Sequence, residues 1–410
     1  AMKVVYYENG QEITSSPLRA KGKEGSFFET PNGLYRVQSK ERNHFSSIGH
    51  VWMPWSIHFY GNYFIHGWPY YPDGTPVADA FSGGCVRLGD EGAKKIYELA
   101  SRNMPVLIYA GERSADAAVQ TYFRKVDALG ADRDPYVSAE AILAADFKTG
   151  AILYEKNKSE KYPIASITKL MTALVATETI NRFKEIPVSA AALAEEGDSA
   201  GLLEGETFKS QDYLYPLILS SSNDVARLYE RETWKFVDVM NQKAGAIGMR
   251  NTFFQDTSGL SPENISTAED IFRMMQFIDT HKSPIFTISG VREIIMTSLN
   301  GKKKHHWINV NWPRDDPRFI GGKLGNTDSA KRAMAGVYKL KFSESEDRPI
   351  AIIVLRSDDH TSDVQRIIAH LEKHFVYGAT FTKEKEASAI RPTQINTGAA
   401  VYEAVEEIKN

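Results

Sequence analysis

PIASITKLMTALVATE, residues 163–178, decides how the rest of the chain is read, because it sets Ser166 and Lys169 three positions apart. On a helix, residues at that spacing share a face with Cβ atoms about 5–6 Å apart, so the lysine amine can reach the serine hydroxyl and accept its proton. The helix is predicted from Ile167, Leu170, Met171, Leu174 and Val175, whose i, i+3, i+4, i+7, i+8 spacing would bury one stripe. Pro163 and the small Ala165 suit a chain entering a helix, whose first amides are unpaired and partly positive. A serine there faces a field that favours a developing oxyanion, and a desolvated lysine beside it loses proton affinity, as a base must. Ser-x-x-Lys alone is a weak signal, since average usage of the two residues gives roughly one or two matches in a chain of this length.

At 410 residues the chain exceeds one ordinary core, so two domains are expected. A hydrophobic content of 42%, a charged content of 25% and a net charge of -3 fit a soluble globular protein and supply no basic excess for nucleic acid. No apolar run approaches the roughly 18–20 residues of a membrane span. The ten histidines include no HExxH and no Cys/His cluster, so neither a metal nor another cofactor is expected. The chain opens Ala1-Met2 and runs at once into a strand-like KVVYY, so no export signal is expected in it and this end does not name a compartment. Cys85 is the one cysteine, so no internal disulfide can form, and its neighbourhood decides between a buried inert thiol and a reactive one.

Residues 3–110 are dominated by β-rich runs (KVVYY, GLYRVQSK, NYFIHGW, PVLIY) punctuated by Asn-Gly and Pro turns, with one helix expected near Glu91 to Arg102. The chemistry lies in Ile65-His66-Gly67 and, after fifteen intervening residues, Ser82-Gly83-Gly84-Cys85-Val86-Arg87. Glycines allow close backbone approach and can aim successive amides at an oxyanion, an imidazole could hold the sulfur as thiolate, and Arg87 could fix a carboxylate. Spacing alone leaves a core histidine and a buried cysteine on a turn equally open. His-Gly followed by Ser-x-Gly-Cys-Val-Arg, preceded by Glu29-Thr30-Pro31-Asn32-Gly33-Leu34-Tyr35, resembles the L,D-transpeptidase catalytic domain of bacterial cell-wall enzymes across residues 1–110. The resemblance implies that Cys85 attacks the third-residue carbonyl of a tetrapeptide stem and passes the thioester to an amine of a neighbouring stem. It makes His66 the base, the Gly84 and Cys85 amides the oxyanion site, and Ser82 and Arg87 substrate contacts. The family usually carries a second histidine where this chain has Gly83, so the base assignment rests on His66.

Residues 111–135 read as a polar linker with one short helix near Ala117 to Leu129. Beyond it, Ala139 to Asp146 and Ala151 to Tyr154 read as strands joined at Lys148-Thr149-Gly150, a motif explained by the turn it occupies. LYPLILSSSNDVAR, residues 214–227, sets Ser221-Ser222-Asn223 against an apolar run, where the polar groups could relay a proton or hold a substrate amide, or cap a helix. Ile320-Gly321-Gly322-Lys323-Leu324-Gly325-Asn326-Thr327 precedes strand-like runs; a lysine on a glycine-lined edge can bind a carboxylate while the backbone pairs with an extended peptide.

Ser-x-x-Lys, Ser-x-Asn and Lys-x-Gly in that order form the motif set of serine penicillin-recognising enzymes. With AILAADFKTGAILYEKN, FVDVMNQKAGAIGMRNTFFQDTSGLS and STAEDI, residues 136–381 resemble the low-molecular-mass D-alanyl-D-alanine carboxypeptidases. The resemblance implies a multidomain chain, a mostly-β domain followed by an α+β domain with a helical cluster on an antiparallel sheet. It implies Ser166 as the acylated nucleophile, Lys169 as its base, Ser221 as proton relay, Asn223 and Gly325 as substrate contacts, and Lys323 as the clamp on the terminal carboxylate. Stem peptides of peptidoglycan are the expected partners, β-lactams the covalent inhibitors, and the cell envelope outside the cytoplasm the location. Leu324 departs from the family's threonine; a lost hydroxyl contact to a carboxylate is worth about 1.5–3 kcal/mol, or roughly ten- to a hundred-fold in rate. That departure favours one alternative, a second domain that binds stems for the cysteine site with little turnover; another alternative leaves Cys85 inert. A β-lactamase is disfavoured by Ser-Ser-Asn in place of Ser-Asp-Asn. In the tail, residues 382–410, Val401, Val405 and Ile408 share one face and are expected to dock back onto a domain.

Overall fold

The structure is a computed structural model that describes residues 2–23, 28–78, 82–109, 122–125, 134–311, 316–342, 346–378 and 390–391. The tail pattern at Val401, Val405 and Ile408 and most of the 111–135 segment lie outside the described residues.

The first domain is built on a six-stranded sheet in the order Lys3–Glu8, Gln11–Ala20, Val86–Leu88, Tyr63–His66, Val51–Tyr60, Ser39–Ser46. Its neighbours are antiparallel except Tyr63–His66 and Val86–Leu88, where Ile65 faces Val86 and His66 faces Arg87 in parallel register. A parallel pair needs a crossover. Residues 67–85 supply it, which is why His66 and the Cys85 loop, remote in sequence, emerge side by side. The helix Asp90–Leu99 packs on the sheet and ends before the expected Arg102, where Ala100 turns extended and donates to Ile96 O. Gly33–Arg36 and Pro105–Ile108 form a separate two-stranded ribbon.

The second domain centres on a five-stranded antiparallel sheet ordered Ile152–Lys156, Ala141–Asp146, Asp347–Ser357, Lys331–Lys341, Phe319–Thr327. The central run from Ile350 to Leu355 is apolar throughout because both faces are covered. Ala351, Ile353 and Leu355 enter one core with the helical cluster, while Ile350, Ile352 and Val354 enter another beneath the helix His360–His374. Lys148 and Thr149 donate their amides to Asp146 Oδ1 (2.9 and 2.8 Å), so the decoy motif is the expected turn.

Two further elements differ from expectation. Residues 122–125 form a strand against Phe375–Tyr377 instead of part of a helix, with the buried Tyr122 hydroxyl donating to Asp146 Oδ2 (2.6 Å); Tyr-Phe suits a paired strand better than a solvated helix. The serine helix, Thr168–Thr179, is buried on every side and not along one stripe. Its threonines make that possible: Thr172 Oγ1 donates to Thr257 O (2.6 Å), Thr177 to Leu174 O (2.7 Å) and Thr179 to Val175 O (2.9 Å), so the face that looks polar carries its own partners.

The C-terminal end of this helix meets the first domain. Glu178 forms an ion pair with Lys243 (2.8 Å), both side chains fully buried, and accepts from the Tyr60 hydroxyl (2.8 Å); Lys243 donates to Tyr35 OH (3.0 Å). Tyr35, Phe59 and Tyr60 join the same apolar core as Leu174 and Met240. Removing one member of a buried pair strands the other, so Lys243→Met should cost about 3–5 kcal/mol of unfolding free energy. Adding Glu178→Leu should return part of that loss, as read by urea denaturation; a single variant as stable as the parent would show that the pair contributes nothing.

Two candidate nucleophile sites

Ser166 lies in the short 3-10 turn Ala165–Ile167 that runs directly into the serine helix. Pro163 does not open the helix as expected. It pairs with Ile265 in a two-residue strand, and Ala165 then takes a left-handed φ of 47°, which swings Ser166 to the helix entrance. Lys169 Nζ stands 2.9 Å from Ser166 Oγ and donates to Ser258 O (2.6 Å). Burial pushes the Lys169 amine down to about 7, against the pull of Asp198 and Asp256. At neutral pH the amine is therefore about half deprotonated, with a lone pair for the serine proton. The carbonyl that aims it is fixed by Asp256, whose carboxylate accepts from the amides of Ser258 (2.8 Å), Gly259 (2.6 Å) and Ser261 (2.7 Å).

Across from this pair, Lys323 Nζ donates to Ser221 Oγ (3.0 Å) and Leu324 O (3.0 Å), and lies 3.4 Å from Asn311 Oδ1. Ser221 is held at a φ of 57° just before the helix Asn223–Glu232, while its neighbour Ser222 caps that helix by accepting from Val225 N (3.1 Å). The capping reading was therefore right for Ser222 alone. Asn223 ties the 195–200 loop in place, donating from Nδ2 to Glu196 O (2.6 Å) and from its amide to Asp198 O (2.7 Å). Burial, and then the charge of Lys169, hold the Lys323 amine well below its usual range.

Lys323 sits on Phe319–Thr327, the outermost strand of the sheet. Alternation along the strand turns Leu324 to the opposite face, where it packs against the second core. Gly325 returns to the serine side, so close that a Cβ there would lie 2.5 Å from Ile164 O and 3.3 Å from Ser166 N. Asn311, Ser258 and Asp256 are part of this construction and were not singled out from the sequence. The only signal for the last two was their place in the QDTSGLS stretch, and Asn311 had none.

The cysteine site is assembled differently. His66 is buried, and its Nδ1 lies 2.6 Å from Gly67 O. A carbonyl only accepts, so Nδ1 carries the proton and Nε2 the lone pair. Burial lowers the ring to about 4, which keeps it neutral at physiological pH. The half-buried Cys85 points its thiol at Asn62 O (3.7 Å), and burial pushes it up to about 11. Among the described residues no hydrogen bond joins His66 to Cys85, so the expected imidazole-held thiolate is replaced by a neutral thiol and a neutral ring. The expected oxyanion donors also need correction. Gly84 N donates to Ser82 Oγ (3.2 Å) and the Ser82 hydroxyl donates back to Cys85 O, so Ser82 clips the loop and one of the two amides is occupied. Gly84, at φ 109°, could carry no side chain, since a Cβ would fall 2.2 Å from the Tyr63 ring. Arg87 is buried, with its guanidinium 5.8 Å from the centre of the Trp68 ring.

The sequence model of the D-alanyl-D-alanine carboxypeptidase family matches residues 129–356, more than half of the chain. The chain belongs to the D-alanyl-D-alanine carboxypeptidase family. Residues 1–108 match a second model, that of the L,D-transpeptidase catalytic domain. The chain is similar to a D-alanyl-D-alanine endopeptidase of Pseudomonas aeruginosa (35% identity over 148 residues, 34% of this chain and 47% of that protein). It is also similar to the D-alanyl-D-alanine carboxypeptidase DacF of Bacillus subtilis (29% identity, 52% of this chain and 57% of that protein). The chain thus spans about half the length of these two relatives. Among solved structures, a D-alanyl-D-alanine carboxypeptidase from Mycobacterium tuberculosis aligns with a TM-score of 0.53 at 21% identity, over 61% of this chain and 98% of that one. The Streptomyces K15 DD-transpeptidase aligns with a TM-score of 0.51 at 22% identity, over 58% and 98%. At these identities the likeness speaks to the fold of the carboxypeptidase-family domain alone.

The electrostatics of the Cys85 loop yield a measurable consequence. Alkylation of Cys85 by iodoacetamide in the folded protein should climb about tenfold per pH unit from pH 7 to 10 without levelling off. A plateau reached by pH 8 would reveal a resting thiolate paired with His66.

Proposed function

We infer that the carboxypeptidase-family domain removes the terminal D-alanine from peptidoglycan stem pentapeptides through a Ser166 acyl-enzyme. The observation that carries this reading is the 2.9 Å contact between Ser166 Oγ and a buried lysine whose amine is lowered to about 7. Neutral Lys169 takes the hydroxyl proton as Oγ attacks the carbonyl of the penultimate residue, and one of its own hydrogens stays on Ser258 O, so the amine does not turn away as it charges. The oxyanion develops at the entrance of the serine helix, next to the Ser166 amide and the close-approaching Gly325 backbone. On the leaving side, Ser221 bridges toward Lys323 and can hand a proton to the departing amine. Lys323 would attract the terminal carboxylate, whose charge offsets the desolvation that otherwise disfavours its ammonium form. Asn223 would hold a substrate amide, its own amide being fixed by Glu196 O.

For the first domain the same reading assigns Cys85 as the nucleophile that takes the acyl group of a tetrapeptide stem as a thioester, with release of the terminal D-alanine, and delivers it to an amine of a second stem. His66 Nε2 is the acceptor for the thiol proton, and the tautomer fixed by Gly67 O supports that role. The serine reaction produces the tetrapeptide that the cysteine reaction consumes. From Ser166 to Thr179 the helix rises about 20 Å at 1.5 Å per residue, with the cysteine loop at its far end. A single stem therefore leaves one cleft before it enters the other, and linkage raises the local concentration of product. Both reactions belong to the cell envelope outside the cytoplasm.

A second reading, in which the carboxypeptidase-family domain holds stems without turning them over, is favoured by Leu324, which offers no hydroxyl to a carboxylate. Intact-mass measurement after penicillin treatment separates the two, since an adduct on Ser166 requires a working nucleophile. The pH dependence gives a sharper test. Because the reactive form is deprotonated Lys169, the rate of penicillin acylation should fall about tenfold per pH unit below a midpoint near 7 and level off above it. A rate constant across pH 5–8 would remove Lys169 as the base. For the paired reactions, Ser166→Ala should abolish crosslinking from pentapeptide while tetrapeptide is still used; equal rates on both would defeat the proposed sequence.

A further inference from the structure

The two nucleophiles are joined through one exposed residue. Asn62 lies in the turn between Val51–Tyr60 and Tyr63–His66. Its main-chain carbonyl accepts from the Cys85 thiol (3.7 Å), and its side-chain Nδ2 donates to Thr179 O (2.7 Å) in the other domain. Thr179 ends the serine helix, and its carbonyl is one of the four that a helix leaves without an internal partner, so the Asn62 amide caps that end. The turn is pressed close. A Cβ on Gly61, at φ 47°, would lie 2.9 Å from Thr179 Cγ2. Its own domain holds the turn through His58, whose Nε2 donates to Gly61 O (2.8 Å). The direction in which Asn62 points is thus set from across the interface.

We propose that Asn62 is the positioning residue of the cysteine site: gripped by the end of the serine helix, it holds the Cys85 thiol on its own carbonyl and away from His66. The thiol is inert while it donates there, because a carbonyl acceptor stabilises the S–H form and cannot take the proton. Release of the grip lets the sulfur turn to His66 Nε2, to which the thiol proton passes, leaving thiolate and imidazolium. Burial raises the thiol against the Phe64 amide and the Arg87 cation, both of which favour thiolate, while the Tyr63 phenol stays neutral; the Asn62 carbonyl is the contact that release of the grip removes. The carboxypeptidase-family domain thereby sets the readiness of the other nucleophile through a main-chain contact at the tip of its central helix.

This inference rests on the cysteine reading above, but its test reads the thiol itself. Cys85 is the sole cysteine of the 410 residues, so alkylation by iodoacetamide of this chain reports on it alone. Asn62→Ala removes the amide from an exposed position and should raise the alkylation rate at pH 7.5 tenfold or more. It should also move the midpoint of the rate–pH profile down by at least one unit, with penicillin acylation of Ser166 unchanged as the check on folding. Gly61→Ala addresses the same grip sterically, since its methyl meets the Thr179 methyl. It should also accelerate alkylation, and adding Thr179→Ser, which deletes that methyl, should bring the rate back toward the parent. Parental rates and midpoints in both Asn62→Ala and Gly61→Ala overturn the proposal. If Cys85→Ala leaves crosslinking of tetrapeptides intact, the cysteine reading fails instead, whatever Asn62 does to the thiol.

Discussion

Removing a whole helix from water is the constraint around which this chain is arranged. Every residue of Thr168–Thr179 is buried, so each polar group on it must find a partner inside the protein or lose its charge. The two ionisable groups on the helix meet that demand in opposite ways. Lys169, in the first turn, has only a hydroxyl and a carbonyl beside it and gives up proton affinity, and the partial positive charge of the helix entrance acts in the same direction. Glu178, in the last turn, places a carboxyl where the helix end is already negative, and Lys243 and Tyr60 come to it there. One end holds an amine of lowered proton affinity. The other becomes the joint to the first domain.

The same physical requirement, a nucleophile whose proton can leave, is met to different degrees in the two sites. Ser166 Oγ has the Lys169 amine in contact, and burial brings that amine down to about 7. Cys85 has a neutral imidazole of suitable tautomer in the neighbouring strand, but its proton is donated to Asn62 O, and burial outweighs the Phe64 amide and Arg87 and holds the thiol protonated. Gly83, where the L,D-transpeptidase resemblance leads one to expect a histidine, removes a second ring that could have shared the proton. The Ser166–Lys169 contact is thus already made, whereas Cys85 and His66 share no hydrogen bond among the described residues.

How much of this could be read from the residues follows from how local each interaction is. Ser166 and Lys169 were legible because their contact is three residues long and set by helical geometry. The order of Ser221, Asn223 and Lys323 behind them was legible as a pattern, and so was the decoy at Lys148, whose place between two strand-like runs marks a turn. The left-handed Ala165 and the pairing of Pro163 with Ile265 were not, because the strand that imposes them lies a hundred residues on. The burial of the serine helix was hidden by its threonines, which look polar in sequence but return their hydroxyls to main-chain carbonyls. Glu178 was not singled out. Its partners Lys243, Tyr60 and Tyr35 come from distant positions, and nothing in their spacing predicts a shared pocket. Asn62 was invisible for a deeper reason: the group that holds the thiol is a main-chain carbonyl, which any residue at that position would supply.

Joining the domains through a buried ion pair also constrains how they can move. A fully desolvated Glu178 and Lys243 cannot separate in small steps without exposing uncompensated charge to an apolar core, so the contact favours either the docked arrangement or a wholly open one. The Asn62 contact, made to the residue after Glu178, involves an exposed side chain, where a hydrogen bond can be exchanged for one to solvent at little net cost. Rigid docking at the centre and exchangeable contact at the edge is the combination a linkage between the Ser166 and Cys85 sites would need. The firm part keeps both clefts on one body, and the soft part can change state without undoing it.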